Sequence, residues 1–182
     1  MLKIVIIGPE STGKSTLCEK LAQYFNSEWC PEFARGYLLE HRNPYSFDDL
    51  LTIAKGQLNL EDQYASRAIE KNKNPLLFVD TDMYVMKVWC EFVFNNCHPW
   101  ILEQIAERSY DLYLLCNVDL PWVKDELREY PDLETREKLY HIYKDIMVNQ
   151  TVPWVDISGN YEERTEKAIK AVERLLIQSS LQ

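Results

Sequence analysis

The chain has 182 residues, of which 46% are hydrophobic and 27% are charged, and it carries a formal net charge of -9. This composition is typical of a globular domain, and so acidic a chain lacks the basic face that nucleic acid or an anionic membrane would need. No apolar stretch approaches the ~20 residues that span a bilayer. We therefore expect a single domain over residues 1–182, with neither nucleic acid nor a membrane as its partner.

The cysteines and histidines do not form recognisable site patterns. The five cysteines are odd in number, scattered and without a C-x-x-C pair: Cys18, Cys30, Cys90, Cys97 and Cys116. We expect them to be core thiols of a protein in a reducing compartment, the cytoplasm. The three histidines lack the spacing of metal ligands, so we expect structural or surface positions for them: His41, His98 and His141.

The most specific motif lies at residues 8–15. They read Gly-Pro-Glu-Ser-Thr-Gly-Lys-Ser and match the phosphate-binding pattern G-x-x-x-x-G-K-[ST]. The motif is informative only between a strand and a helix. An apolar run at residues 2–7 precedes it, and helical spacing follows from Thr16. The sequence therefore predicts a site for a nucleoside triphosphate, ATP, with magnesium.

Each part of this phosphate loop has its own chemical task. Gly8 and Gly13 permit backbone conformations that a Cβ would block, and they allow close approach to a phosphate. Backbone N–H groups and the N-terminus of the following helix form an anion cradle. Lys14 supplies a point charge to the β- and γ-phosphates, and Ser15 supplies a hydroxyl oxygen for magnesium.

The rest of the chain alternates between strand and helix patterns. Further strands are predicted at residues 28–30, 76–79, 112–116 and 153–157. Helices are predicted at residues 32–41, from the N-cap Ser46 to about Lys71, 84–93, 100–108 and 161–177, with a turn at 72–75. Such alternation predicts an α/β fold of three layers, in which helices cover both faces of a parallel sheet.

Acidic residues follow two of the predicted strands, at the sheet edge where ligands bind in open α/β folds. If the chain stays extended, the spacing of Asp80 and Asp82 puts both side chains on one side. One would hold magnesium, and the other would contact a substrate hydroxyl or take its proton. Alternatively, Asp82 is only the N-cap of the next helix. Glu32 and Arg35 follow the strand at 28–30 and are further candidates, the alternative being a solvated helix face.

The polar segment at residues 117–136 lies between a strand and a helix. In a phosphoryl-transfer enzyme such a segment can close as a lid that excludes water and brings arginines onto the developing charge. Arg128 and Arg136 are candidates because a guanidinium is permanently charged and matches phosphate oxygens. The alternative is an ordinary charged surface helix.

Three aromatic residues, Tyr84, Trp89 and Phe92, fall on one predicted helix. Aromatic residues at helical spacing belong to the core more often than to a ligand platform. Tyr84 lies nearest the acidic residues and is the best candidate of the three for stacking on a substrate.

Taken together, these segments resemble the ribosylnicotinamide kinase domain of NadR-type proteins and the stand-alone NadR-like P-loop ATPases. The matching segments are residues 8–17, 32–35 and 78–82, His98-Pro99, Trp122-Val123 with Asp125 and Arg128, and Val152-Pro153. The resemblance implies a nucleoside-kinase-like P-loop NTPase fold with a lid at about 117–136. It also implies transfer of the ATP γ-phosphate to the 5′-hydroxyl of nicotinamide riboside, which gives nicotinamide mononucleotide. Because the chain begins at the kinase strand, the other regions of full NadR proteins are not expected.

The resemblance further implies roles for single residues. The ATP phosphates and magnesium would contact Gly8, Pro9, Glu10, Ser11, Thr12, Gly13, Lys14, Ser15 and Thr16. Magnesium, the ribose and the attacking hydroxyl would be contacted by Glu32, Asp80 and Asp82, with Arg128 and Arg136 as lid arginines. The loop near adenine would be Ser158, Gly159 and Asn160. Pro31 stands where that family has a tryptophan, so stacking on the nicotinamide ring would require Trp29 or Tyr84.

Three classes of function remain open at this stage. The first is a ribosylnicotinamide kinase, the second a kinase for another nucleoside or a vitamin alcohol, and the third a nucleotide-binding regulatory ATPase. Clustered carboxylates and lid arginines favour a kinase, because a pure switch needs no base for an acceptor.

Overall fold

The computed structural model describes residues 1–41, 44–73 and 75–180. Five strands form one sheet in the order β2-β3-β1-β4-β5, and every neighbouring pair is parallel. The strands are β1 (Leu2–Ile7), β2 (Glu28–Cys30), β3 (Leu76–Asp80), β4 (Leu112–Cys116) and β5 (Trp154–Ile157). The predicted parallel α/β sheet is therefore confirmed.

Six of the helices in the described residues follow predicted ones, whereas the helix after the polar segment was expected without a predicted range. The helices are α1 (Lys14–Tyr24), α2 (Phe33–His41), α3 (Phe47–Lys71), α4 (Met83–Phe94), α5 (Pro99–Glu107), α6 (Leu133–Asn149) and α7 (Tyr161–Ser179). Ser46 caps α3 as predicted, and its hydroxyl and backbone exchange hydrogen bonds with Asp49 in a capping box. The predicted turn at 72–75 includes Asn74, which lies outside the described residues. None of the helices in the described ranges is long and apolar enough to cross a membrane.

Alternation along β1 creates the two halves of the core. Ile4 and Ile6 face one side, where they pack with apolar residues of α1 and α7. Val5 and Ile7 face the other side, where they pack with residues of α3, α4 and α6. The central strands β3 and β4 are buried along their whole length, as expected for strands covered on both faces.

A third apolar cluster joins α2, α3, α4 and α5 beside the sheet. His98 belongs to it structurally, because its ring stacks on Phe47 at 3.8 Å between centroids and its Nε2 lies 2.9 Å from the Phe47 carbonyl oxygen. His98 thus has the structural position that was expected of it. All five cysteines are free thiols, and only Cys97 is not fully buried.

The parallel arrangement brings all five carboxyl ends of the strands to one edge of the sheet. The phosphate loop follows β1, Glu32 lies just beyond β2, and Asp80 ends β3. The segments after β4 and β5 reach the same edge. The fold therefore gathers the predicted site residues from four or more separate parts of the sequence.

Candidate active site

The loop between β1 and α1 has the backbone that phosphate binding requires. Gly8 has φ +136°, and a Cβ there would lie 2.7 Å from the Cys116 carbonyl oxygen, so only glycine fits. Gly13 has φ +80° and immediately precedes the first turn of α1. The loop is braced internally, because the Thr12 hydroxyl and the Lys14 ammonium donate to the Pro9 carbonyl at 2.7 and 2.9 Å. The predicted strand, loop and helix are all present.

Ser15 and Asp80 meet beside this loop. The Ser15 hydroxyl donates to Asp80 Oδ2 at 2.5 Å, while Asp80 Oδ1 is buried without a hydrogen-bond partner among the described residues. Burial raises the pKa of Asp80, and Lys14 and the Ser15 hydroxyl act against that rise. A buried carboxylate oxygen lacking a partner, next to a hydroxyl, matches the hard oxygen ligands that Mg²⁺ prefers. The residues present therefore fit a magnesium ion.

Glu32 lines the same cleft, where the charges of Asp80 and Lys14 act on it. Burial, followed by the negative charge of Asp80, raises its pKa to about 7, and Lys14 and Arg35 pull it back. A carboxyl group with a pKa near 7 is suited to accept a proton from a hydroxyl at neutral pH. The Arg35 guanidinium pairs with Asp125 through two hydrogen bonds of 3.2 and 2.8 Å, so it joins α2 to the lid segment.

Asp82 occupies a different environment from Asp80, which corrects the expectation that the two would face one side. Thr81 has φ +82°, so the chain is not extended between them. Asp82 Oδ1 accepts from the backbone N–H groups of Tyr84 and Val85 and caps α4. Its Oδ2 accepts from the Tyr113 hydroxyl at 2.9 Å, and its side chain is absent from the lining of the cleft. The N-cap alternative is the one that this geometry supports.

Asp82→Ala should therefore destabilise the fold rather than impair chemistry. The change removes a helix cap and leaves the buried Tyr113 hydroxyl without its acceptor, which together should cost about 2–4 kcal/mol in the free energy of unfolding. Urea unfolding and the kcat of the folded fraction check this. A thousandfold loss of kcat with unchanged stability would return Asp82 to the catalytic residues.

The cleft has a volume of about 370 Å³ and is lined by the phosphate loop and by the packed pair Tyr45 and Trp89, which we call the aromatic end. The aromatic residues in its lining are Trp29, Tyr45, Trp89, Phe92, Tyr130 and Tyr143. Trp29 is thus where it was expected. Tyr84 does not line the cleft, which corrects the expectation for that residue. Its side of α4 faces the sheet, and its ring packs edge-on against Tyr113 at 5.9 Å between centroids. Trp89 and Phe92 of the same helix line the cleft instead.

The segment between β4 and α6 is irregular and crosses the phosphate loop. The Glu10 carboxylate accepts hydrogen bonds from the backbone N–H groups of Glu129 and Tyr130 at 3.0 and 2.6 Å. The Ser11 hydroxyl accepts from the N–H group of Val123 at 2.9 Å. A charged surface helix at this position is excluded, because residues 117–132 contain no helix. The geometry suits a lid, which remains a prediction as far as movement is concerned.

The two predicted lid arginines differ in position. Arg128 lines the cleft, and its Nη1 donates to the Val123 carbonyl at 2.5 Å. Arg136 lies in α6, is only 3% exposed, and its Nη2 donates to the carbonyl oxygens of Ser11 and Leu120 at 3.3 Å each. Its guanidinium is absent from the cleft lining, because α6 packs it beneath the loop. Arg136 therefore braces the phosphate loop from below instead of reaching across the cleft.

The loop after β5 lies next to the phosphate loop. The Gly159 N–H donates to Asp119 Oδ2 at 2.6 Å, and Asn160 caps α7. Arg164, which the sequence did not single out, joins the two loops by donating to the carbonyl oxygens of Thr12 and Gly159 at 2.9 and 2.7 Å. This position is compatible with the predicted adenine contact of residues 158–160, which stays a prediction.

Known proteins resemble this chain in sequence. The model of the family described as "AAA domain" matches residues 3–164. The chain is 28% identical over 178 residues to the trifunctional NAD biosynthesis/regulator protein NadR of Escherichia coli K12, and equally to that of Salmonella typhimurium LT2. Each match covers 95% of this chain and 42% of the relative. The chain thus spans less than half the length of these relatives.

Solved structures share the fold. A crystal structure of NadR protein in complex with NR has a TM-score of 0.78 at 23% identity, and one in complex with NAD and AMP-PNP has 0.71 at 22%. Both alignments cover 96% of this chain and 49% of that structure's chain. The thymidylate kinase of Ehrlichia chaffeensis has a TM-score of 0.66 at 13% identity, with 94% and 98% of the two chains covered. The predicted P-loop kinase fold is confirmed.

Proposed function

The chain belongs to the AAA-domain family of P-loop proteins, and on this basis we propose that it is an ATP- and magnesium-dependent kinase that phosphorylates the 5′-hydroxyl of nicotinamide riboside. The product is nicotinamide mononucleotide. The observation that carries the proposal is a single cleft in which the phosphate loop, the carboxylate of Glu32 and an aromatic end lie together. The similarity to NadR over 95% of the chain supports this acceptor.

On the donor side, the chain positions the triphosphate and neutralises its charge. The backbone of the phosphate loop and the N-terminus of α1 hold the phosphates, and Lys14 places its ammonium on the β- and γ-phosphates. Ser15 and Asp80 are the residues that would hold magnesium, which neutralises charge on the transferring phosphoryl group when it is bound. Arg128 lies on the lid side of the cleft, where it would meet the charge that develops during transfer.

On the acceptor side, we assign Glu32 as the general base. Its position beside Asp80 and Lys14 puts it at the phosphate end of the cleft, where the 5′-hydroxyl must approach the γ-phosphate. It accepts the hydroxyl proton as the oxygen attacks. The nicotinamide ring then lies among the aromatic residues, with Trp29 in place of the tryptophan that Pro31 replaces.

Glu32→Gln should lower kcat by about 10²–10⁴-fold without loss of ATP binding, since the amide keeps the shape of the side chain but cannot accept the proton. In the unmodified protein, kcat/KM should fall as the pH drops below about 7, because protonated Glu32 is inactive. That acid limb should be absent from the pH profile of the variant. If the variant kept the acid limb of the pH profile, a residue other than Glu32 would have to be the base.

A panel of acceptors tests the function itself. Nicotinamide riboside, other nucleosides and vitamin alcohols are each incubated with ATP and magnesium, and ADP release is scored together with the mass of the product. Phosphorylated nicotinamide riboside is the expected product. Turnover of a different acceptor alone would support the second class of kinase, and slow ADP release without any phosphorylated acceptor would support a regulatory ATPase.

The proposed setting of the reaction follows from the same chain. Five free thiols are compatible with a reducing compartment, which supports the cytoplasm. The net charge of -9 makes nucleic acid an unfavourable partner, so the partner that we propose is the small-molecule acceptor.

A further inference from the structure

One carboxylate of the lid segment reaches the aromatic end of the cleft. Glu129 Oε2 accepts a hydrogen bond from the Tyr45 hydroxyl at 3.0 Å, and that hydroxyl in turn accepts one from Trp89 Nε1 at 2.8 Å. The backbone N–H of Glu129 is held by Glu10 of the phosphate loop. The residue is therefore anchored through its backbone and through its carboxylate, and it is an exposed residue of the cleft lining.

The cations that line the cleft have partners other than Glu129. Lys14 donates to Pro9, Arg35 pairs with Asp125, and Arg128 donates to Val123. Among the residues in the described ranges, no ion pair joins a cation to Glu129. Burial raises the pKa of Glu129, the hydrogen bond from Tyr45 lowers it, and the charge of Glu10 raises it again. The charged group that acts on Glu129 is thus another carboxylate, Glu10.

The aromatic rings beside Glu129 also favour a positively charged ligand. The rings of Tyr45 and Trp89 meet edge to face at 5.1 Å, and both line the cleft. The faces of such rings attract cations, with Trp the strongest. The Glu129 carboxylate, which is hydrogen-bonded to the Tyr45 hydroxyl, adds a Coulombic attraction for a cation.

We propose that Glu129 is a specificity-determining residue, which makes the cleft select an acceptor whose ring carries a delocalised positive charge. In the proposed reaction this ring is the pyridinium of nicotinamide riboside, so the inference rests on the proposed function. Neutral rings of similar shape bind less well because they gain nothing from the carboxylate. A ring that carries its own carboxylate is disfavoured by repulsion from Glu129.

Three acceptors that share the ribose test this selection. Nicotinamide riboside has a cationic ring, its 1,4-dihydro form has a neutral ring of nearly the same outline, and nicotinic acid riboside keeps the cationic ring but carries a carboxylate in place of the carboxamide. KM of the unmodified protein should be lowest for nicotinamide riboside and higher for each of the other two, while kcat changes less, because the attacking hydroxyl is the same. The advantage of the cationic acceptor should shrink as the ionic strength increases.

Glu129→Gln keeps the size of the side chain and an acceptor for Tyr45 but removes the charge. KM for nicotinamide riboside should rise about fivefold, the upper range for an exposed ion pair, whereas KM for the dihydro form should stay within about twofold. Glu126→Gln is the matched control, because it removes the same charge from an exposed position of the same segment that does not line the cleft. It should leave both KM values unchanged.

An equal rise of KM for the cationic and neutral acceptors would overturn the inference, since it would mean that Glu129 only shapes the pocket. No rise for either acceptor would overturn it as well. If Glu129→Gln fails to fold, the salt dependence of the two KM values in the unmodified protein decides. Failure of the unmodified protein to phosphorylate any of the three would contradict the proposed function, whereas phosphorylation without charge selection would contradict this inference alone.

Discussion

Lys14→Ala should abolish phosphoryl transfer while the fold remains intact. The ammonium is the one side-chain charge of the phosphate loop that can reach the β- and γ-phosphates, and loss of a preorganised group of this kind costs about 10²–10³-fold or more in kcat. Among the described residues, the Lys14 ammonium donates one hydrogen bond, to the Pro9 carbonyl oxygen, so the fold loses little. Turnover is measured by ADP release, and folding by circular dichroism and thermal unfolding.

Lys170→Ala is the matched control for this change. Lys170 is an exposed residue of α7 that pairs loosely with Glu166 at 3.7 Å, so its removal deletes the same charge far from the cleft. Residual activity in Lys14→Ala should show a shifted pH profile. Lys14 lowers the pKa of both Glu32 and Asp80, so its loss raises both and moves the acid limb to higher pH. Activity close to that of the control would remove Lys14 from the transfer step.

Asp80→Asn should lower kcat by about two to three orders of magnitude. The variant replaces a charged oxygen ligand by a neutral amide at the position where the buried Oδ1 lacks a partner and Ser15 is in contact. The concentration of magnesium needed for half-maximal activity should rise at the same time. Both quantities are obtained from magnesium titrations at fixed ATP.

Asp82→Asn provides the internal control, since it lies two residues away and is equally buried. Asparagine still caps a helix, so the variant should fold, and its turnover should stay near normal because its side chain does not line the cleft. If Asp80→Asn turned over as well as this control, Asp80 could not be a magnesium ligand. Equal large losses in both variants would instead indicate a shared effect on β3.

Local sequence signals predicted most of the fold. The phosphate loop is a run of consecutive residues, so the positions of its glycines, lysine and serine can be recognised directly in the sequence. Ser46 and Asp49 form the expected capping box because that motif lies within one helical turn. The apolar runs of β3 and β4 are buried on both faces, which continuous apolar sequence predicts.

Side-chain direction was harder to predict wherever it depended on one backbone angle or one helix rotation. Thr81 is a β-branched residue at φ +82°, which no propensity suggests, and this angle turns Asp82 away from Asp80. Tyr84 and Trp89 both belong to α4, but the rotation of that helix about its axis places Trp89 in the cleft lining and Tyr84 against the core. Arg136 has a sequence environment like that of Arg128, but α6 buries it.

The sequence by itself therefore determined the nucleotide site, the parallel sheet and the edge at which Glu32 and Asp80 lie, because each follows from neighbouring residues and strand direction. Only the tertiary structure decided which side chains line the cleft away from the phosphate loop. Tyr45, Trp89 and Glu129 come from three distant segments and come into contact only when the chain has folded. Local periodicity carries no information about contacts between distant segments, because the packing of whole helices and strands determines them.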